Sequence, residues 1–454
     1  MERVKQAFEP SFLRRVFGTA LPIAAQFFIA SAVNLIDVVM IGRLGEDSVA
    51  AAGAANQIFF LLTLMLFGIN SGGSVFLSQF WGTQDLRNVR RTMGMMYALG
   101  AALTAIFTAG ALLAPQFLVS FYVHEPSPIA LGADYLWIVG LSYPVTAVSM
   151  ILAMVCRCTG DVSLPTRASM LSIVINVGGN ALLIYGLLGF PALGLRGAAI
   201  ATALARTAEC LVLVVTIYRK KLPAAARLRE LFDIDRAFIQ KYARTAAPVL
   251  LNEILWSVGA SLYSVAYGML GTAALAAVQI ANTAIQLVFV FTRGLSSACG
   301  IFIGRLVGAG DRESAIDHSH RFALLMPAAG LCTGVLMAAV HPLILSLYHV
   351  SAETIRLAQT LILIQSAQLA CKALAMCLVV AVFRAGGDTL FACLLDTGTV
   401  WLAGVPLAFL GVFLGAPLWG VCLLIFSDDV AKVILGLIHL KKERWIKNVS
   451  AQLQ

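Results

Sequence analysis

Residues 17–41, FGTALPIAAQFFIASAVNLIDVVMI, form an apolar run that contains a single charged side chain, Asp37. About 20 apolar residues are enough for an α-helix to cross the hydrocarbon core of a bilayer. The run is too long for the hydrophobic region of a signal peptide, and equally long runs follow it. It therefore predicts an uncleaved, membrane-spanning first helix.

The rest of the chain repeats this pattern. Of its 454 residues, 60% are hydrophobic and 12% are charged, whereas about a quarter of the residues of a soluble domain are charged. Too few polar residues remain to coat a water-soluble particle of this size. The composition predicts an all-α integral membrane protein without a sizeable soluble domain. The apolar runs fall at 17–41, 51–80, 93–115, 130–156, 165–188, 197–218, 245–268, 275–304, 320–345, 355–383, 391–413 and 416–440.

Twelve runs predict twelve transmembrane helices with both termini on the same side of the membrane. Lys and Arg residues concentrate in the predicted inner segments, and the predicted outer loops contain only Arg43, Arg196 and Arg356. This asymmetry is typical of loops that stay in the cytoplasm, so both termini are predicted to be cytoplasmic. The longest inner connection, 219–244, is basic. Two interpretations of its charge stand: contact with anionic membrane lipids, or a role limited to fixing the topology.

The two halves of the chain are related by an internal repeat. A shift of 226 residues aligns Pro, Gly, Asn and Asp residues, and with one inserted residue it aligns Arg157–Gly160–Asp161 with Arg384–Gly387–Asp388. The repeat predicts two homologous six-helix bundles related by a pseudo-two-fold axis along the membrane normal, an architecture common among transporters. The predicted domains are an N-terminal lobe (1–218), a basic linker (219–244) and a C-terminal lobe (245–454). The aligned pairs include Pro22/Pro248, Gly45/Gly271, Asn56/Asn282, Gly82/Gly308 and Asp85/Asp311.

Polar groups inside the predicted spans are candidates for function, because a charge at the centre of a membrane helix costs about 2.5–3.5 kcal/mol on insertion scales. Asp37 lies in the outer third of the first span, where its carboxylate can bind H⁺ or Na⁺. Asn176 and Asn180 are four residues apart and share one helix face. Thr202 adds a hydroxyl on the following helix. Together these residues form the candidate cation-coupling site of the N-terminal lobe.

The second half contains its own acidic candidates, Glu253, Asp388 and Asp396, which could bind a cation or a substrate. Asp388, like Asp161, follows an Arg by four residues, and each Arg–Asp pair is predicted to lock a tight inner turn. Four further charged residues inside the predicted spans are also candidates: Arg206, Glu209, Arg293 and Lys372. Arg206 and Glu209 are three residues apart on one helix, so they are expected to neutralise each other.

The sequence contains neither a Gly-rich phosphate-binding loop nor an intramembrane nucleophile with a paired base, so neither ATP hydrolysis nor enzymatic catalysis is expected. The nine cysteines lie mostly inside apolar runs and predict neither a disulfide framework nor a metal centre. Transport must then draw on an ion gradient or the membrane potential. One charge crossing about 100 mV supplies about 2.3 kcal/mol, equivalent to roughly fiftyfold accumulation.

Several motifs together resemble those of the multidrug and toxic compound extrusion (MATE) family. They are D-x-x-M-x-G-R-L-G at 37–45, its partial repeat at 268–271, and the R-x-x-G-D motifs that begin at Arg157 and Arg384. The stretches 371–389 and 427–448 are similar to those of bacterial members. The resemblance covers essentially the whole chain. It implies a V-shaped, twelve-helix antiporter of the inner membrane that exports cationic, amphipathic compounds in exchange for H⁺ or Na⁺.

The resemblance also assigns roles to particular residues. Asp37 matches the first-helix carboxylate of the family's N-terminal lobe, Asn176 matches an amide beside it, and Thr202 matches a hydroxyl ligand. Asn180 stands where many members have a second Asp. Asp388 matches the Asp of a motif in the tenth helix.

The expected partners are small organic cations and membrane lipids, with no cofactor besides the coupling ion and no nucleic acid. A monomer is expected. The main alternative is a flippase for a lipid-linked precursor, a related two-lobed class that needs a cationic cavity to hold pyrophosphate. Arg206, Arg293 and Lys372 are the residues that favour it. Susceptibility to drugs, or a disturbed cell envelope, would separate the two classes.

Overall fold

The computed structural model describes residues 8–346, 348 and 350–451, and these residues are overwhelmingly helical. Most helices are long and apolar, as the hydrophobic runs predict. The α-helices are α1 (Pro10–Gly42), α2 (Glu46–Gly82), α3 (Leu86–Leu113), α4 (Pro115–Ser120), α5 (Pro126–Gly140), α6 (Tyr143–Thr159), α7 (Ser163–Tyr185), α8 (Leu195–Arg219), α9 (Leu228–Leu231), α10 (Arg236–Gly268), α11 (Thr272–Gly308), α12 (Arg312–Leu345), α13 (Ala352–Met376), α14 (Thr389–Thr399), α15 (Val405–Phe413), α16 (Leu418–Ile425) and α17 (Ser427–Lys441).

Within the described residues, ten helices are long and apolar enough to cross a membrane, counting helices that continue through a π-helical stretch as one. The pair α5 and α6, bent by 49°, makes an eleventh span if it is counted as one. The chain is therefore an all-helical, multi-pass membrane protein. The twelfth predicted segment, 416–440, is helical but divided between α16 and α17. It carries three charged residues, Asp428, Asp429 and Lys432.

The internal repeat is confirmed in the backbone. Helices α1 and α10 each contain 33 residues, and helices α2 and α11 each contain 37. Their first residues are 226 apart in both cases (236 − 10 and 272 − 46). The loops that follow α1 and α10 turn at Gly45 and Gly271, whose φ angles are +108° and +112°. Glycine is favoured there because other residues rarely adopt a positive φ.

The helix starts after the next turn repeat as well. The Asp85 carboxylate accepts a hydrogen bond from the Asn88 backbone N–H at 3.0 Å, and the Asp311 carboxylate accepts one from Ser314 at 3.0 Å. Each Asp thus satisfies one of the unpaired N–H groups at the start of its helix. Matched caps 226 residues apart show that the sequence repeat specifies equivalent local structure.

The residues form two compact units. We define the N-terminal unit as Gln26–Leu77 and Asp85–Tyr242. The C-terminal unit comprises the described residues up to Ala25, Ser78–Gln84, and those from Ala243 onward. Each unit has an apolar core of its own. The C-terminal core contains fully buried Phe322, Phe383 and Trp445.

The basic segment 219–244 is anchored to α3 by ion pairs. Arg87 and Arg90 lie 2.7 Å from Asp233 and Glu230, and Arg91 lies 3.1 Å from Asp235. The hydrogen bond from Arg87 lowers the pKa of Asp233 below its ordinary value. Most of this segment accordingly belongs to the N-terminal unit.

Two π-helical stretches interrupt the last spans of the C-terminal unit. Helix α13 continues as a π-helix over Cys377–Arg384, and α14 continues as one over Val400–Gly404. Such stretches are frequent at functional sites, because the extra residue in the turn changes the direction of the side chains. The first stretch ends at Arg384, which is central to the polar cluster described below.

Small residues let α12 and α13 pack closely. A Cβ atom added at Gly330 would lie 2.6 Å from the carbonyl oxygen of Leu369 and 2.7 Å from the Cα of Ala370. Close packing at small residues is a general source of helix association in membranes. We expect Gly330→Ala to destabilise the protein by about 1–3 kcal/mol, because backbone atoms would have to separate.

The thermal unfolding midpoint in detergent measures this loss. Gly18→Ala is the matched control, because a Cβ added at Gly18 meets nothing within 4 Å. It should be neutral or slightly stabilising, since Ala favours helix over Gly. Equal midpoints for the two variants would contradict the packing argument.

Candidate functional site

Four polar residues that the sequence singled out form a connected chain in the N-terminal unit. Asn180 Nδ2 donates to Asp37 Oδ1 at 2.5 Å and lies 3.4 Å from Asn176 Oδ1. Asn176 Nδ2 in turn donates to Thr202 Oγ1 at 3.3 Å. Asp37 belongs to α1, the two Asn residues to α7, and Thr202 to α8. We call these four residues the Asp37 chain.

The Asp37 chain is largely buried, and it contains one side-chain oxygen that has no hydrogen-bond partner among the described residues. Asn180 and Asn176 are 1% and 3% exposed, and Asp37 is half-buried. The Asn180 side-chain oxygen has no hydrogen-bond partner among the described residues. Buried polar atoms are normally paired, so an unpaired oxygen beside a carboxylate is an unusual feature. Carboxylate, amide and hydroxyl oxygens together suit H⁺ or a small hard cation such as Na⁺.

Two tyrosines contact this chain or the helices that form it, and sequence reasoning had not singled them out. The buried Tyr135 lies beside Thr202 and Asn56. The Tyr185 hydroxyl donates to the Met40 carbonyl at 2.8 Å and thereby joins α7 to α1. Because tyrosine is common in buried helices, its occurrence alone gave no signal.

Arg206 and Glu209 contact other groups rather than each other. Arg206 Nη1 donates to Ser142 Oγ at 3.1 Å, and its guanidinium lies 3.7 Å from the centre of the Phe59 ring. Glu209 Oε1 accepts from Ser169 Oγ at 2.6 Å. The expected neutralisation of one by the other within α8 is therefore wrong. A cation over an aromatic face is stabilised by the ring quadrupole, which explains how Arg206 is accommodated here.

The first R-x-x-G-D motif also differs from expectation. Arg157 Nη1 donates to Gln26 Oε1 at 3.0 Å, and Gln26 Nε2 donates to Ser169 Oγ at 3.2 Å. Asp161 instead accepts from the Leu164 N–H at 3.1 Å, at the start of α7. The Arg thus reaches the first helix of its unit, and the Asp caps the next helix. The predicted Arg–Asp lock of the turn is wrong.

The largest group of buried charges lies in the C-terminal unit. Arg384 Nη1 contacts Glu253 Oε1 at 2.7 Å, and Arg384 Nη2 lies 3.8 Å from Asp396 Oδ2. Lys432 Nζ lies 2.9 Å from Asp396 Oδ1 and 3.4 Å from Asp428 Oδ2. All five side chains are at most 13% exposed. We call Glu253, Arg384, Asp396, Asp428 and Lys432 the C-unit charge cluster.

Two neutral side chains complete the hydrogen bonding of this cluster. Asn252 Nδ2 donates to Asp396 Oδ2 at 2.9 Å, and the Tyr263 hydroxyl donates to Asp428 Oδ2 at 3.1 Å. The Asn252 side-chain oxygen has no partner among the described residues, although Asn252 is 1% exposed. The cluster therefore joins α10, α13 with its π-helical continuation, α14 and α17.

Asp388 contacts a different region from Glu253 and Asp396, with which it was grouped as a candidate. Its oxygens lie 2.7 Å from Lys447 Nζ and 3.0 Å from His439 Nε2. Asp388 therefore binds the C-terminal segment rather than Arg384, and the predicted lock of the second R-x-x-G-D turn is also wrong. The two remaining basic candidates lie outside the C-unit charge cluster. Arg293 is exposed on α11, and Lys372 is partly buried close to Asp429.

Sequence reasoning missed several members of the C-unit charge cluster. Asp428 and Lys432 lie inside the predicted twelfth segment, four residues apart, and that spacing was a usable signal for an intramembrane ion pair. Asp429 lies beside them. The Arg384 contact with Glu253 joins residues 131 positions apart, and the local sequence gave no sign of it.

The apolar spans, buried carboxylates and buried amides are those of a polytopic membrane transporter. The MatE family model matches residues 22–182 and 248–410, so the two matches begin 226 residues apart, as the repeat predicts. The chain belongs to the MatE family, whose members are membrane transporters and not enzymes.

Curated relatives and a solved structure agree with this assignment. An uncharacterized transporter, YisQ of Bacillus subtilis (strain 168), is 23% identical over 438 residues, 95% of each chain. A probable multidrug resistance protein NorM of Rhizobium meliloti (strain 1021) is 30% identical over 75% of this chain and 71% of its own. The outward-facing structure of a multidrug resistance MATE transporter matches the fold with a TM-score of 0.85 at 19% identity, over 96% of both chains.

Proposed function

We propose that this protein is a secondary antiporter that exports cationic, amphipathic compounds in exchange for H⁺ or Na⁺. Membership of the MatE family and relatives described as multidrug resistance proteins support multidrug efflux. The protein lies in the bacterial inner membrane with both termini in the cytoplasm. It is a monomer in contact with membrane lipids. The distribution of Lys and Arg between the two sides supports this orientation.

The observation that carries the proposal is the Asp37 chain. A half-buried carboxylate in a membrane span is costly and is expected to be functional. Asp37 is hydrogen-bonded to an amide, and no cationic side chain among the described residues forms an ion pair with it. H⁺ or Na⁺ can therefore bind to this carboxylate and leave it again.

Binding of a cation would change the hydrogen bonds of Asn180. While Asp37 is ionised, it accepts a hydrogen bond from the Asn180 amide nitrogen. A protonated Asp37 becomes a donor, and the unpaired Asn180 oxygen is an acceptor for it. Rotation of the amide would also change its contact with Asn176, and thus the link to Thr202. In this way the state of Asp37 is communicated from α1 to α7 and α8.

This rearrangement couples export to the ion only if the two states differ in their affinity for substrate. An organic cation and the coupling cation would compete for the same negative charge, because ionised Asp37 favours either one. When H⁺ or Na⁺ enters, that charge is neutralised and the organic cation is released. The coupling ion then leaves on the other side of the membrane.

A susceptibility profile tests the proposed class. Cells that lack their main exporters should become resistant to several cationic dyes and drugs when they express the protein, and they should accumulate less dye. A flippase would instead restore or disturb the cell envelope without changing dye accumulation. Unchanged susceptibility to every cationic compound, with the protein present in the membrane, would contradict the proposed export.

Removing the Asn180 side chain is expected to reduce dye efflux strongly, as removing the Asp37 charge is. We expect Asn180→Ala to reduce dye efflux by about tenfold, since losing one hydrogen bond to a charged group costs about 1.5–3 kcal/mol. The initial rate of efflux from energised cells measures the effect. Asn70→Ala is the control, because this buried amide of the same unit donates to the Leu66 carbonyl and not to the Asp37 chain. It should lose less activity than Asn180→Ala.

A further inference from the structure

Lys432 lies at the centre of the C-unit charge cluster. Its ammonium contacts Asp396 at 2.9 Å and Asp428 at 3.4 Å, and the residue is 5% exposed. An ammonium held by two carboxylates at these distances occupies the place that a free monovalent cation would take. Its four-carbon chain attaches this charge permanently to α17.

The buried charges that are in contact would no longer be balanced if the Lys432 charge were lost. The cluster contains three carboxylates (Glu253, Asp396, Asp428) and two cations (Arg384, Lys432). Buried ions are stable only when they are paired and hydrogen-bonded. Without the Lys432 charge, Glu253 and Asp396 would keep the contact with Arg384. Asp428 would keep no cation in contact among the described residues, since the neighbouring Lys372 lies close to Asp429. The cluster would then require a proton or a metal cation from solution.

The two units hold their intramembrane cations in different ways. In the C-terminal unit, the Lys432 ammonium contacts two carboxylates, those of Asp396 and Asp428. In the N-terminal unit, Arg206 donates to the hydroxyl of Ser142 and lies over the ring of Phe59.

The position that Asp37 occupies in the N-terminal half is a tyrosine in the C-terminal half. The shift of 226 aligns Tyr263 with Asp37 (263 − 37). Tyr263 donates to Asp428 at 3.1 Å, whereas Asp37 accepts from Asn180. The N-terminal unit therefore presents a carboxylate hydrogen-bonded to an amide, and the C-terminal unit presents carboxylates that its own lysine already holds.

Oxygen ligands for a cation remain in the C-terminal unit if the ammonium is removed. Asp396 and Asp428 would provide carboxylate oxygens, and Tyr263 would provide a hydroxyl. The buried Asn252 oxygen has no partner among the described residues, and the same amide donates to Asp396 through its nitrogen. Carboxylate, amide and hydroxyl oxygens are the ligands that hard cations prefer.

We propose that Lys432 is a built-in counter-ion that occupies a latent Na⁺ site between Asp396 and Asp428. The C-terminal unit therefore keeps its cation throughout the transport cycle, and the exchangeable ion binds only in the N-terminal unit. Removing the lysine charge opens the site to Na⁺. The statement about exchange rests on the proposed antiport, but the latent site does not.

Thermal unfolding of the full-length protein in detergent tests the latent site. All variants carry Asp37→Asn, so that a cation bound at the Asp37 chain does not contribute. The unfolding midpoint is measured in increasing NaCl, with choline chloride holding the ionic strength constant. Ligand that binds only the folded state raises this midpoint with saturation.

With Lys432 intact, we expect the midpoint to be independent of Na⁺. With Lys432→Gln, we expect Na⁺ to raise it with saturation, by about 3 °C for a ligand far above its Kd. Adding Asp396→Asn should remove the response. Lys372→Gln, a matched loss of an intramembrane lysine charge, should stay insensitive to Na⁺. A response that needs Asp396 while Lys432 is intact would overturn the proposal, as would a folded Lys432→Gln variant that does not respond.

A second measurement covers the case in which Lys432→Gln does not fold in the absence of Na⁺. Lys432→Ala, in the same Asp37→Asn background, is extracted and purified in ammonium or methylammonium chloride, with choline chloride as the comparison. We expect a monodisperse protein in the small ammonium ions, because they replace the tethered charge, and aggregation in choline. Equal aggregation in all three salts and in NaCl would overturn the proposal. Failed transport by the wild type would instead argue against the proposed antiport, and it would leave these binding results unchanged.

Discussion

Replacing Asp37 with Asn is expected to abolish export against a gradient. The substitution keeps the shape of the side chain but removes the charge that H⁺ or Na⁺ neutralises. One coupled charge at about 100 mV supports roughly fiftyfold accumulation, so the concentration ratio that the transporter maintains should fall from about fifty to about one. Dye accumulation in energised cells measures this ratio, and dye fluorescence with the purified protein reports whether substrate binding survives.

A second carboxylate of the same unit provides the control for Asp37→Asn. Asp134 pairs with Arg196 at 2.7 Å, and both side chains are about half exposed or more, at 46% and 65%. Asp134→Asn should therefore retain export close to that of the wild type. Full export by Asp37→Asn, at equal amounts of protein in the membrane, would remove Asp37 from the coupling mechanism.

Replacing Arg384 with Met is expected to produce the largest loss of stability. Arg384 contacts Glu253 at 2.7 Å, and the two side chains are 3% and 11% exposed. Removing one partner of a buried pair leaves an uncompensated charge and costs about 3–5 kcal/mol. We expect the unfolding midpoint in detergent to fall sharply, with much protein lost during purification.

The double variant Glu253→Gln/Arg384→Met distinguishes the stability lost through the broken ion pair from stability lost through other effects of the substitutions. It removes both charges, so it should be more stable than Arg384→Met alone. Arg196→Met is the surface control. It should cost at most about 1 kcal/mol, because the exposed ion pair with Asp134 is weak. If the double variant were as unstable as the sum of its two single variants, the Arg384–Glu253 contact would not be the source of the loss.

The fold was largely predictable, because lipid imposes a simple rule on the sequence. Every span must satisfy its own backbone hydrogen bonds and expose apolar side chains, so long apolar runs become helices. The repeat was equally visible, since the glycines at 45 and 271 and the caps at Asp85 and Asp311 are required by local geometry. The last predicted span was the exception. Its helix is divided between α16 and α17 in a segment that carries Asp428, Asp429 and Lys432.

The N-terminal candidate site was predictable for a different reason. Asn176 and Asn180 share a helix face by their spacing, and a lone carboxylate in an apolar span needs a polar partner. The contact of Asn180 with Asp37 meets that need. The roles of these residues in coupling stay a prediction until transport is measured.

The partners of the basic residues were not predictable in the same way. Arg157, Arg206 and Arg384 each have an acidic residue three or four positions away, and local spacing favoured those pairs. Their long side chains instead contact Gln26, Ser142 and Glu253, which lie on other helices. Tertiary packing therefore decides the partners: Arg384 contacts a carboxylate, whereas Arg157 and Arg206 contact neutral side chains.

Dye export from proteoliposomes under separately imposed pH and Na⁺ gradients tests the central proposal, exchange at Asp37, most directly. The wild type and Asp37→Asn are reconstituted in parallel at equal protein density. We predict that one of the two gradients drives export by the wild type and that neither drives export by Asp37→Asn. Export by Asp37→Asn at the wild-type rate under either gradient would contradict the proposal, and it would move the search for the coupling site to Glu253, Asp396 and Asp388.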